Sequence, residues 1–107
     1  MSHKQLAETI WKQLGGNMFN HMTGSHSYRF SEREGKKGLS FKLRRNKSKA
    51  NHMIISYDEA RDTYVCEFVQ CSLKVGFVVL KKVDDVYCDM LQDIFSDFTG
   101  MATTMAG

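Results

Sequence analysis

At 107 residues the chain is one domain's worth of sequence, long enough to bury roughly two-thirds of the surface its unfolded form exposes. Hydrophobic residues make up 42% and charged residues 25%, and no apolar run reaches the ~18 residues that a membrane-spanning helix needs. The net charge of +3 permits contact with a polyanion without requiring it, and three cysteines without CxxC spacing read as reduced thiols rather than a disulfide frame.

The first ten residues are polar and amphipathic, which is not the apolar stretch of a signal peptide. Ser2 followed by Gln5 is a capping-box pattern, so a helix is expected to start there. Leu6, Ile10 and Leu14 recur every four residues, with Ala7 and Trp11 beside them, giving one apolar stripe. Gly15-Gly16 ends this helix. Asn17 then caps a short second turn carrying Met18, Phe19 and Met22, closed by Gly24.

From residue 26 the apolar period falls to two. His26, Tyr28 and Phe30 alternate with Ser27, Arg29 and Ser31 as a half-buried strand, and 31–37 reads as a hairpin loop around Gly35. A second strand follows, with Leu39, Phe41 and Leu43 on one face and Ser40, Lys42 and Arg44 on the other. Residues 46–51 form a basic loop, 52–57 a third strand and 58–62 an acidic turn. A fourth strand spans 63–71, with Tyr64, Cys66 and Phe68 inward, and a valine-rich fifth spans 74–82. Asp84-Asp85 suits a helix N-terminus, so a helix is expected over 84–100 with Tyr87, Leu91, Ile94, Phe98 and Met101 as its buried stripe, thickened by Met90 and Phe95.

The segments imply an α+β fold. About five antiparallel strands form one sheet, with the N-terminal helix, the short helical turn and the C-terminal amphipathic helix packed on one face. Residues 1–101 form the single domain and 102–107 a flexible tail.

Charge is distributed unevenly. Lys36, Lys37, Lys42, Arg44, Arg45, Lys47 and Lys49 fall within fourteen positions that contain no acid. Such a row suits phosphate oxygens or an acidic protein surface, and equally a solvated rim that keeps a sheet edge from pairing. From Val83 onward there are five aspartates and no Lys or Arg. Asp85, Asp89, Asp93 and Asp97, at spacings of four, are expected to line one helix face, which reads as a partner surface or as a solvated one.

No motif carries catalysis. His3, His21, His26 and His52 are scattered without a second ligand at metal spacing, and Cys66, Cys71 and Cys88 have no base and orienter beside them. Gly15-Gly16-Asn17 follows a helix rather than a strand and lacks a phosphate-loop frame. No metal, cofactor or enzyme activity is expected.

Four blocks occur in order: LGGNMFNHMTG at 14–24, LSFKLRRN at 39–46, DTYVCEF at 62–68 and VYCDMLQDIFSDFTG at 86–100. Together they resemble a recurrent family of small proteins encoded by bacteriophages and prophages, known as hypothetical proteins, over nearly the whole chain from Leu6 to about Gly100. Asn20-His21 and Ser25-His26 replace more apolar or lysine-bearing family positions, and 32–37 is longer. The resemblance implies a setting, the bacterial cytoplasm during infection or lysogeny, and transfers no functional residue. The expectation is a non-catalytic binding protein acting on a host protein as adaptor or inhibitor, in anti-defence for example, or associating with itself through its charged faces. The alternative is a non-specific nucleic-acid-binding protein using the basic segment.

Overall fold

The computed structural model describes residues 2–103. The first helix, α1 (His3–Leu14), starts on the capping box. Ser2 Oγ accepts from Gln5 N–H at 3.1 Å, and Gln5 Oε1 accepts from Ser2 N–H at 2.9 Å. Its stripe of Leu6, Ala7, Ile10 and Leu14 is buried, and Gly15, with a φ of 124°, lets the chain turn into α2 (Asn17–Thr23).

Five strands follow: β1 (His26–Arg33), β2 (Lys36–Lys42), β3 (His52–Asp58), β4 (Thr63–Ser72) and β5 (Gly76–Val86). They pair antiparallel in chain order, an unbroken meander. A 3-10 turn, Cys88–Met90, leads into α3 (Leu91–Thr99). The helices cover one face of the sheet, which is the α+β arrangement expected from the sequence. Between them lie Ile10, Leu14, Phe19, Phe41, Met53, Ile55, Cys66, Phe68, Val86, Leu91 and Phe95, each at most 1% exposed. Phe19 of α2 joins the layers, meeting Phe41 of β2 and Phe95 of α3 edge-on, at centroid distances of 5.7 and 4.8 Å.

Helices α2 and α3 end by the same device. Thr23 and Thr99 donate their hydroxyls to the carbonyls of Phe19 and Phe95, four residues back. The same hydroxyls accept the N–H of Ser25 and Met101, and left-handed Gly24 and Gly100 complete each stop.

Several boundaries differ from expectation. The residues read as a hairpin loop over 31–37 are mostly strand: Arg33 pairs with Lys36, so the turn is Glu34-Gly35, both at positive φ as a tight hairpin requires. The C-terminal helix begins at Leu91 rather than at Asp84. Asp84 and Asp85 belong to β5, because the ladder with β4 runs on to Tyr64↔Val86 and buries Val86 completely. A bulge accommodates them, with Asp85 at a φ of 55°, a conformation aspartate tolerates better than most residues. Tyr87 therefore lies outside the helix and is 58% exposed, and Phe30 is 59% exposed at the sheet edge beside His3. Of the tail, Thr103 is buried, and residues 104–107 lie outside the described residues.

The sheet curls away from the helices. Arg33 of β1 reaches across two intervening strands to Glu67 of β4, donating Nε and Nη2 to its two carboxylate oxygens at 3.0 and 2.7 Å. Lys82 of β5 approaches Glu34 of the first hairpin at 3.9 Å. The open face is therefore a trough. At Gly38 a Cβ would overlap the carbonyl oxygen of Ile55, so glycine permits the close approach of β2 and β3 there.

Candidate functional site

The seven cations of the basic segment do not form one patch. Lys36 and Lys42 stand at opposite ends of β2, about 20 Å apart for six strand steps, and Lys37 lies beside Lys36. On the following loop, Arg44 and Lys47 are drawn to the helix ends. Arg44 lays its stem over Gly24 and donates Nη2 to the carbonyl of Met22 at 3.3 Å, at the C-terminus of α2. The stem of Lys47 covers Gly100, and its backbone N–H donates to the Thr99 carbonyl at 3.3 Å, at the C-terminus of α3. A cation there meets the negative end of the helix dipole, which gives both residues a structural use. Arg45 and Lys49 remain exposed on the loop.

The expected aspartate face is also divided. Asp85 sits in the β5 bulge and pairs with Arg61 at 3.0 Å, and Asp89 sits in the 3-10 turn. Asp93 and Asp97 alone share α3. All four are exposed, but the helix that was to align them does not reach the first two.

The trough brings together what the linear pattern separates. His26 pairs with Lys42, and Lys42 pairs with His52, a row of three basic side chains across β1, β2 and β3. A register shift after His26, where Ser27 takes a φ of 58°, brings Arg29 to the same recess. Ser27, Arg29, Ser40, Lys42, His52 and Phe77 line a cavity of about 340 Å³ at this end of the trough. Arg29 and Lys42 form no ion pair among the described residues. Arg29 and Lys42 therefore leave the recess positive, and an anion seated there would neutralise it.

His52 reports the field. Its pKa is lowered from 6.5 by partial burial first, and then by the positive charges of Lys42, Arg29 and His26. Its tautomer follows from its neighbours. Asn51 donates Nδ2 to the Cys71 carbonyl at 2.8 Å and accepts the Cys71 N–H on Oδ1 at 2.9 Å, which fixes the carboxamide. His52 Nδ1 lies 2.8 Å from that oxygen, so Nδ1 carries the proton. The neutral ring keeps a lone pair on Nε2 and gains a second donor there on protonation.

The other end of the trough is mixed in charge. Arg33, Lys36, Arg61 and Lys82 face Glu34, Asp58, Glu67, Asp84 and Asp85 around a cavity of about 260 Å³. Ser56 and Thr63, both buried, line it, and among the described residues their hydroxyls have no hydrogen-bond partner. The Arg33–Glu67 pair divides the two ends, with the guanidinium also 5.1 Å from the Phe77 ring centroid.

No family model, curated protein or solved structure matches this chain. Its own residues therefore carry the functional argument. Cys66 is inert, since burial pushes its thiol up to about 12. Among the described residues no helix is long and apolar enough to cross a membrane, and no three His, Cys, Asp or Glu side chains converge on a metal position.

Of the expected site residues, Lys42 is in the basic recess, and Lys36 is in the mixed one. The sequence reading does not single out His26, Arg29 and His52, which the fold gathers around the basic recess. Arg29 and His52 stand at polar strand positions, which by themselves read as a solvent face, whereas His26 alternates in sequence with Tyr28 and Phe30 and shares the Lys42 face only because of the register shift that follows it. The signal they offered was one of register: basic residues at matching ladder positions on three adjacent strands.

Proposed function

We propose that this protein is a non-catalytic binder of phosphate-bearing polyanions, taking a single-stranded nucleic acid along the basic end of its trough. One observation carries the reading: the unpaired row of His26, Lys42 and His52 with Arg29 beside it. These groups suit successive phosphates, whose released counterions drive the association. The half-exposed ring of Phe77 on the trough wall offers a base a stacking surface. Arg45 and Lys49 extend the positive field along the loop. The acidic groups around the second cavity repel the backbone and limit the footprint to a few nucleotides. The likeness to phage-encoded proteins supports a setting in the bacterial cytoplasm during infection or lysogeny. A host-protein partner on the aspartates has less support, because their surface is broken between β5, the 3-10 turn and α3.

The test is affinity for a short single-stranded oligonucleotide across a salt series. The expected result is binding that weakens steeply with salt, with loss of roughly tenfold or more in an Arg29→Gln/Lys42→Gln variant and a shallower salt slope. A Lys36→Gln/Lys37→Gln variant, altered at the far end of β2, is expected to bind nearly as well as the parent. No binding at low salt, or equal losses in the two variants, would overturn the proposal.

A further inference from the structure

The mixed end of the trough is built from two ladder pairs and the bulge beside them. Ser56 of β3 lies opposite Val65 of β4, and Asp58 lies opposite Thr63. The bulge of β5 falls between the pairs Cys66↔Val83 and Tyr64↔Val86, so Asp84 and Asp85 come against Val65. Bulges of this kind re-aim side chains, and both aspartates line the cavity of about 260 Å³.

Ser56 and Thr63 supply its buried polar atoms. They are 2% and 4% exposed, and among the described residues neither hydroxyl has a hydrogen-bond partner. Such groups cost stability when left unpaired. The two residues are diagonal neighbours across the β3–β4 ladder, which places them about 7 Å apart. A single donor group seated between them can reach both oxygens.

The charges around the cavity set the sign of that group. Arg33 is held by Glu67 at 2.7 Å, Arg61 by Asp85 at 3.0 Å, and Lys82 approaches Glu34 at 3.9 Å. Lys36, Asp58 and Asp84 make no ion pair among the described residues. Continuing the β2–β3 register from Gly38↔Ser56 brings Lys36 beside Asp58, so Asp84 carries the surplus negative charge. A primary ammonium answers both demands, with one positive charge and three N–H donors for hydroxyl and carboxylate oxygens. A quaternary ammonium brings the charge without the donors. A metal ion is poorly served, because no three His, Cys, Asp or Glu side chains converge among the described residues.

We infer that this cavity is a second binding site, taking a small primary amine whose ammonium donates to Ser56 Oγ, Thr63 Oγ1 and the Asp84 carboxylate. It shares no lining residue with the basic recess, so it stands or falls separately from the nucleic-acid reading.

The test is a titration of isotope-labelled protein with ethanolamine at constant ionic strength, followed by magnetic resonance. Saturable changes are expected at Ser56, Asp58, Thr63, Val65 and Asp84. Choline, which keeps the charge and the hydroxyl but has no N–H, is expected to bind at least tenfold more weakly, and potassium chloride to leave these resonances still. Thr63→Val and Asp84→Asn are each expected to weaken ethanolamine roughly tenfold. Because Thr63→Val removes an unpaired buried hydroxyl, its urea midpoint is expected to match or exceed the parent's, which separates lost binding from lost folding. Absence of saturable changes would overturn the inference, as would choline binding as tightly as ethanolamine or parental affinity in both variants.

Discussion

His52 couples the recess to pH. Its Nδ1 proton is committed to Asn51, so acidification adds a proton at Nε2, into a field already positive from Lys42 and Arg29. The folded pKa is lowered, so below the ordinary imidazole value of 6.5 the unfolded chain binds this proton more readily than the folded one. The stability that neutral His52 contributes is therefore whole above that value and is lost as pH falls through the lowered folded pKa. A bound phosphate reverses the field and raises the pKa, so acidification then strengthens binding. Urea midpoints over a pH series are expected to fall more steeply below 6.5 in the parent than in His52→Gln, and the difference is expected to shrink when oligonucleotide is added. Equal slopes in the two proteins, with and without ligand, would contradict this role.

At the level of elements, Gly38 shows how one strand position governs the approach of two strands. It sits in β2 opposite Ser56, close against the backbone of β3. A methyl group there would press on the Ile55 carbonyl, a backbone atom that cannot rotate away. Gly38→Ala is expected to cost about 3 kcal/mol, at the upper end for overpacking, read as a fall in the urea midpoint. An unchanged midpoint would show that the two strands separate freely there. The strands and α1 were legible because local pattern specifies them: period two in Leu39, Phe41 and Leu43, period near four in Leu6, Ile10 and Leu14, and a capping box that forms as read. The start of α3 was not. Asp84-Asp85 satisfies the preference of a helix N-terminus, but Val86 gains a fully buried place opposite Tyr64 by extending β5, and that partner lies more than twenty residues away. Local propensity yielded to a non-local ladder. The loop expected over 31–37 failed similarly, since its polar residues are those of an edge hairpin with a two-residue turn.

Over the whole molecule, the fold re-sorts a charge pattern that looked simple in the chain. A fourteen-residue basic segment is divided among a hairpin end, a trough and two helix C-termini, so proximity in sequence overstated proximity in space. Lys42 was visible as a candidate, whereas Arg29 and His52 became candidates only once three strands were in register and the sheet had curled. Neither property is written in any single segment. The central claim is that the trough's basic end, and not the basic segment as a whole, receives the polyanion. The most direct measurement is a titration of isotope-labelled protein with a short single-stranded oligonucleotide at low salt, following backbone and imidazole resonances. The largest changes are expected at His26, Arg29, Lys42 and His52, with Lys36 and Lys37 nearly still. Changes centred on Lys36 and Lys37, or spread evenly over every lysine and arginine, would contradict it.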